Sequence, residues 1–147
     1  MSRFLLDVNA VLALLDPLHI HHDAAHDWYG QLSTPVLLTC AHVENGVIRV
    51  ASQPQYPNCL GTSGKVREVL RQFVSQVLHE YCRQNALLLD NAVLLKSKLL
   101  TPGRVADLYL LAMAVANDAK LATFNRKIAA EAVAGGPAAL EVIPDQP

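Results

Sequence analysis

Short apolar runs without polar alternation punctuate this chain, and they restrict it to folds in which a sheet is covered on both faces. Phe4-Leu5-Leu6 and Pro35-Val36-Leu37-Leu38-Thr39 have strand length and no in–out pattern, so they read as strands buried on both sides. Ala86-Leu87-Leu88-Leu89, Lys120-Leu121-Ala122-Thr123-Phe124 and Leu140-Glu141-Val142-Ile143 supply a third, fourth and last strand. Helical patterns lie between them, and strands alternating with helices imply βαβ units around a mostly parallel sheet. With 147 residues, 52% of them hydrophobic, the chain forms a single domain, 1–147, that can bury a real core without disulfides.

The helices follow from spacing. Val11 to Leu15 forms a short one, with Asn9 as a suitable N-cap and Asp16-Pro17 as its end. A second opens near Asp23, and a third covers Cys40 to Val50 with Val43, Val47 and Val50 on one stripe. Residues 52–64 are a loop rich in Pro, Gly and Asn, after which Thr62 or Ser63 caps the next helix. Val66, Val69, Leu70, Phe73, Val74, Val77, Leu78 and Tyr81 place that helix over 65–81, with Lys65, Arg67, Glu68 and Arg71 on its solvated face. Asp90 or Asn91 opens another through Leu100, and Thr101-Pro102-Gly103 breaks it. Residues 104–118 are apolar nearly all round, the mark of a central packed helix.

Several functional classes are excluded. A net charge of −1 exerts no overall pull on nucleic acid, so a polyanion must be held by a local basic patch or by metal ions. Cys40, Cys59 and Cys82 are odd in number and form no C-x-x-C pair, which fits a reducing compartment. No apolar run has the length of a membrane span and the N-terminus lacks a signal-peptide pattern, so the expectation is a cytoplasmic protein away from the membrane. The segment from His19 to His26 holds four histidines, of which His22 and His26 share a helix face. No further ligand stands nearby, so the segment reads as a helix start with solvent-facing histidines rather than a metal site.

The chemistry lies in the acids that interrupt the apolar pattern. Asp7 follows the first strand, Glu44 lies just inside the helix after the second, and Asp107 opens the central helix. Asn125 takes the corresponding place after the fourth strand. In a parallel sheet these positions converge on the carboxyl edge, where ligands bind. Clustered carboxylates repel unless a divalent cation neutralises them, and an all-oxygen set suits Mg²⁺ or Mn²⁺ better than zinc. Such ions activate water and stabilise phosphoryl charge, so the implied reaction is phosphodiester hydrolysis. Neither a Ser-His-Asp order, a G-x-S-x-G elbow nor a P-loop is present.

Leu5-Leu6-Asp7-Val8-Asn9, Thr39 to Gly46, Asp107 to Ala112 and Leu121 to Arg126, in that order, resemble the PIN-domain nucleases, and most of all the VapC-type toxins of bacterial toxin–antitoxin pairs. The resemblance runs from Arg3 to about Ile143. It implies a three-layer α/β/α sandwich with a central, mostly parallel sheet and, commonly, a homodimer. It also implies a Mg²⁺- or Mn²⁺-dependent endoribonuclease acting on RNA, often tRNA or ribosomal RNA, and silenced by a cognate antitoxin. Carried over position by position, Asp7, Glu44 and Asp107 match the metal-binding acids, and Asn9 a polar position beside the first. The chain departs from the family at Asn125, where an Asp is usual; an amide oxygen can still meet a hard cation but brings no charge. One ion held by Asp7 and Asp107, with Glu44 helping directly or through water, is the expected arrangement. Arg104, Arg126 and Lys127 are candidate phosphate contacts from their nearness in sequence to Asp107 and Asn125. The alternative is a catalytically weakened PIN domain that binds RNA or protein. A phosphatase of the haloacid dehalogenase type would need a second Asp where Asn9 stands.

Overall fold

Burial on both faces is what the apolar runs demand, and the sheet supplies it. The structure, a computed structural model, describes residues 2–83 and 85–145. Its strands are β1 (Arg3–Leu6), β2 (Val36–Cys40), β3 (His79–Cys82), β4 (Lys120–Thr123) and β5 (Leu140–Val142). They lie in the order β3-β2-β1-β4-β5, every neighbouring pair parallel. Leu5, Leu6, Leu37, Leu38 and Leu121 are fully buried at the centre, each such side chain contributing about 1.5–3 kcal/mol through burial.

The helices are α1 (Val8–Leu15), α2 (His22–Gln31), α3 (Ala41–Ala51), α4 (Ser63–Ser75) and α5 (Val105–Ala116). The first four pack together through α1–α2, α1–α3 and α3–α4 contacts, while α5 packs on β1 and β4 with the 3-10 turns Ala130–Ala132 and Pro137–Ala139. This is the three-layer α/β/α arrangement that the sequence implied. The chain builds outward from β1 to β2 and β3, then returns through α5 to set β4 on the other flank of β1. Strand order therefore reverses between β1 and β4, and the carboxyl ends there border a ligand crevice. Among the described residues, no helix is long and apolar enough to cross a membrane.

Four expectations need correction. The third strand is His79–Cys82 and not Ala86–Leu89. An edge strand buries little, so His-Glu-Tyr-Cys carries a weak apolar signal, whereas Leu87 and Leu89 are 62% and 96% exposed and have no sheet partner. Consequently α4 stops at Ser75, and Val77 and Leu78 lead into β3 instead of extending the helix. The helix expected from Asp90 to Leu100 is a set of turns and the 3-10 helix Ser97–Leu99. Asp90 accepts a hydrogen bond from the Ala92 N–H at 2.8 Å, a local turn that competes with helix formation. Finally, Asp7 rather than Asn9 caps α1: its side chain accepts from the Ala10 N–H, two positions earlier than the spacing of apolar residues suggests.

The histidine-rich segment serves α1, with His26 exposed as expected and His19, His21 and His22 half-buried. A His22 Nδ1–H donates to the Ala13 carbonyl at 2.8 Å and a His26 Nε2–H to that of Leu14 at 2.9 Å, which satisfies carbonyls left open in the last helical turn. Buried Asp16 then ties down the loop, accepting from the Tyr56 hydroxyl at 2.6 Å, the Asn58 amide at 2.8 Å and the Leu18 N–H at 2.9 Å.

Helices α1 and α3 approach closely because residue 46 has no side chain. A Cβ on Gly46 would lie 2.7 Å from Val8 Cγ2, on a β-branched side chain with little freedom to move. Gly46→Ala is therefore expected to lower stability, because overpacking costs about 1–3 kcal/mol against a helix-propensity gain of about 1 kcal/mol. In a Val8→Ala background the same change should stabilise. Urea denaturation of the double-mutant cycle checks this reversal of sign.

Candidate active site at the carboxyl edge of the sheet

The end of β1 delivers Asp7 into the crevice between β1 and β4. Extended backbone at φ −79°, ψ 173° lets its Oδ1 accept from the Ala10 N–H at 2.7 Å, starting α1. Its Oδ2 accepts from the hydroxyl of fully buried Thr123, on the last residue of β4, at 2.6 Å. Asp7 itself is only 8% exposed, and no Arg or Lys pairs with it among the described ion pairs. Burial pushes its carboxyl above the usual range; the bonds from Thr123 and Ala10 pull the other way, and the charge of nearby Asp107 raises it further.

Asp107 stands in the first turn of α5, and Asn125 follows β4. The Asn125 amide nitrogen donates to Asp107 Oδ2 at 2.9 Å, while its Oδ1 accepts from the Lys127 N–H at 2.9 Å. Only this orientation of the amide satisfies both partners, one a carboxylate and the other an N–H donor. The Asn125 N–H also donates to Thr123 Oγ1 at 3.0 Å, so Thr123 links Asn125 to Asp7. Asp107 and Asn125 share a cavity of about 350 Å³ with Arg104 and Lys127. Arg104 donates to the Leu99 carbonyl at 3.1 Å, whereas Arg126 is occupied by Asp145 at 2.6 Å.

Glu44 is in the first turn of α3, its Oε2 accepting from the hydroxyl of buried Thr39 on β2 at 2.6 Å. Among the described residues no three His, Cys, Asp or Glu side chains form a group that could hold a metal. Asp7, Thr123, Asn125 and Asp107 are thus linked by bonds and charge, while Glu44 does not complete a trio with the two aspartates. Exposed Asn9 is bonded to His19, Nε2 to Oδ1, at 3.1 Å.

A divalent cation fits this donor set. The donors are oxygens, as hard cations prefer, and Asp7 is a buried acid beside a second one with no basic partner among the described residues, a charge that a cation would neutralise. Sequence reasoning missed Thr39 and Thr123. Each is a polar residue at or next to the carboxyl end of a buried strand, and that shared position was the available signal. His79, bonded to Thr39, gave no signal within an edge strand that reads as helix.

Since burial raises the Asp7 carboxyl, its ionised form weakens the folded state as pH rises from the ordinary carboxylate range toward the folded value. Asp7→Asn should therefore raise the melting temperature in chelator near neutral pH, with a smaller difference at acidic pH where wild-type Asp7 is protonated. Thermal melts of both proteins across pH check this.

The sequence model of the family described as PIN domain matches residues 4–134. The chain is 40% identical over 134 residues to Ribonuclease VapC44 of Mycobacterium tuberculosis (strain ATCC 25618 / H37Rv), covering 90% of this chain and 93% of that protein. Ribonuclease VapC39 of the same strain is 30% identical over 131 residues, covering 89% of this chain and 94% of its own. Ribonuclease VapC38 is 32% identical over 122 residues, with 82% and 84% covered.

Proposed function

The chain belongs to the PIN domain family and is of the VapC type, and we propose that it is a divalent-metal-dependent endoribonuclease, the toxin of a toxin–antitoxin pair. The observation that carries this reading is Asp7, a buried carboxylate without a basic partner among the described residues, set beside Asp107 at the point where strand order reverses. A bound Mg²⁺ or Mn²⁺ would supply an activated water and neutralise charge on the scissile phosphate. Asp7 and Asp107 would hold it, with Glu44 assisting directly or through water. Thr123 and the Ala10 N–H keep the Asp7 carboxylate in place, and Asn125 does the same for Asp107. In the hydrolysis itself, the oxygen of water adds to phosphorus, the P–O bond to the leaving nucleotide breaks, and the departing oxygen takes a proton.

Arg104 and Lys127 line the cavity beside Asp107 and are the candidates to grip flanking phosphates. Arg126 can join them only by leaving Asp145. The RNA substrate is of the tRNA or ribosomal RNA class, and a cognate antitoxin protein silences the enzyme. A homodimer is part of the same reading. It is supported by the exposed apolar surface of Tyr81 and Val105 around a cavity of about 940 Å³ that reaches Cys82, Leu88 and Tyr109.

Purified chain, free of antitoxin, should cut RNA with Mg²⁺ or Mn²⁺ and not with chelator, and Asp7→Asn should abolish the activity. Intact tRNA and ribosomal RNA under these conditions, beside a working PIN nuclease control, would instead favour a binding module. Asn125→Asp replaces the donor facing Asp107 with a like charge. It should tighten Mn²⁺ binding and raise the cleavage rate, as measured by metal titration and single-turnover cleavage; unchanged values of both would refute this account of Asn125.

A further inference from the structure

Thr39 has one hydroxyl proton and two close partners. Glu44 Oε2 lies 2.6 Å from its Oγ1 and His79 Nε2 lies 2.8 Å away. An ionised carboxylate only accepts hydrogen bonds, so the Thr39 proton is committed to Glu44. His79 must then be the donor, through its Nε2–H. Donors run in one direction along this chain, from His79 through Thr39 to Glu44.

We propose that His79, acting through Thr39, is a positioning residue for Glu44 that holds its Oε2 and leaves Oε1 as the oxygen offered to the metal or its water. The inference rests on the reading of Glu44 as a member of the ion-binding set. Three observations support it. Thr39 is fully buried, and Glu44 and His79 are the partners of its hydroxyl. His79 is half-buried on edge strand β3, where an imidazole is costly to desolvate and a β-branched apolar residue would serve packing better. The arrangement also repeats what Thr123 does for Asp7, a buried strand-end hydroxyl donating to an acid at 2.6 Å. Metal sites commonly depend on such outer hydrogen bonds to orient their ligands.

The test uses the full chain and Mn²⁺ as probe, with affinity read from the electron paramagnetic resonance of free Mn²⁺ and folding read from melts in chelator. Thr39→Val and His79→Phe should weaken Mn²⁺ binding about 10- to 100-fold, the usual effect of removing an outer-shell partner. Thr39→Ser and His79→Gln, which keep a hydroxyl and an N–H donor, should restore it. On a Glu44→Gln background neither Thr39→Val nor His79→Phe should cost anything further. A merely structural role would shift the melts without this pattern. Should Thr39→Val not fold, the His79 pair decides. Wild-type affinity in His79→Phe, or an equal loss with and without Glu44, overturns the proposal. Wild-type protein that neither binds Mn²⁺ nor cuts RNA overturns the nuclease reading itself, and the positioning role with it.

Discussion

The Asp7 carboxylate, closing β1 and opening α1, is the constraint on which the rest of this structure turns. Its Oδ1 caps α1, its Oδ2 is tied to β4 through Thr123, and both bonds are needed because water hardly reaches it. Caps of this kind stabilise a helix by about 0.5–2 kcal/mol. Here the capping acid is also the buried charge, so one side chain joins the start of a helix, the flank of a neighbouring strand and the floor of the crevice. Burial raises its pKa while its donors oppose the shift. The fold thus holds an acid that is stable in place yet still short of positive charge.

How much of this the sequence discloses depends on where each residue lies in the sheet. β1, β2 and β4 are buried on both faces, and an uninterrupted apolar run can mean little else in a chain of this composition. Against that background Asp7 stands out as the one acid among apolar neighbours, and Asp107 does so on α5. Edge strand β3 buries one end only, and its Val77-Leu78 approach falls in phase with the preceding helix, so periodicity assigns it to α4. Leu87 and Leu89 mislead for the opposite reason: they are apolar but exposed, and apolar residues at the surface are indistinguishable from those of a core strand in sequence alone.

The candidate site was legible in Asp7 and Asp107 and hidden in what holds them. A carboxylate at a strand end announces itself by its cost, whereas Thr39 and Thr123 act through one proton each and look like ordinary β-branched strand residues. Asn125 was visible as a departure, but the direction of its amide was not. With its oxygen on the Lys127 N–H and its nitrogen on Asp107, it contributes a neutral tether to the acid it faces rather than an oxygen for a cation. The histidines of residues 19–26 show the converse. Their density suggests a ligand set, yet His22 and His26 use their ring N–H groups on the carbonyls of α1.

Charge then limits how RNA can be engaged. The chain is −1 overall, and two of its acids face the crevice where a phosphodiester must enter. At the contact distance of a phosphate and a carboxylate, like charges repel by about 1 kcal/mol in water and by more as the crevice closes to solvent. Arg104 and Lys127 stand beside Asp107 to oppose this locally, but Arg126 is taken up by Asp145. A divalent cation held by the two aspartates would therefore have an electrostatic task before any chemistry begins, because its two positive charges would cancel theirs in the field that an incoming phosphate meets. Replacing a fourth carboxylate by Asn125 lightens that task. The crevice would need less positive charge to become neutral, and would hold the ion that supplies it more weakly.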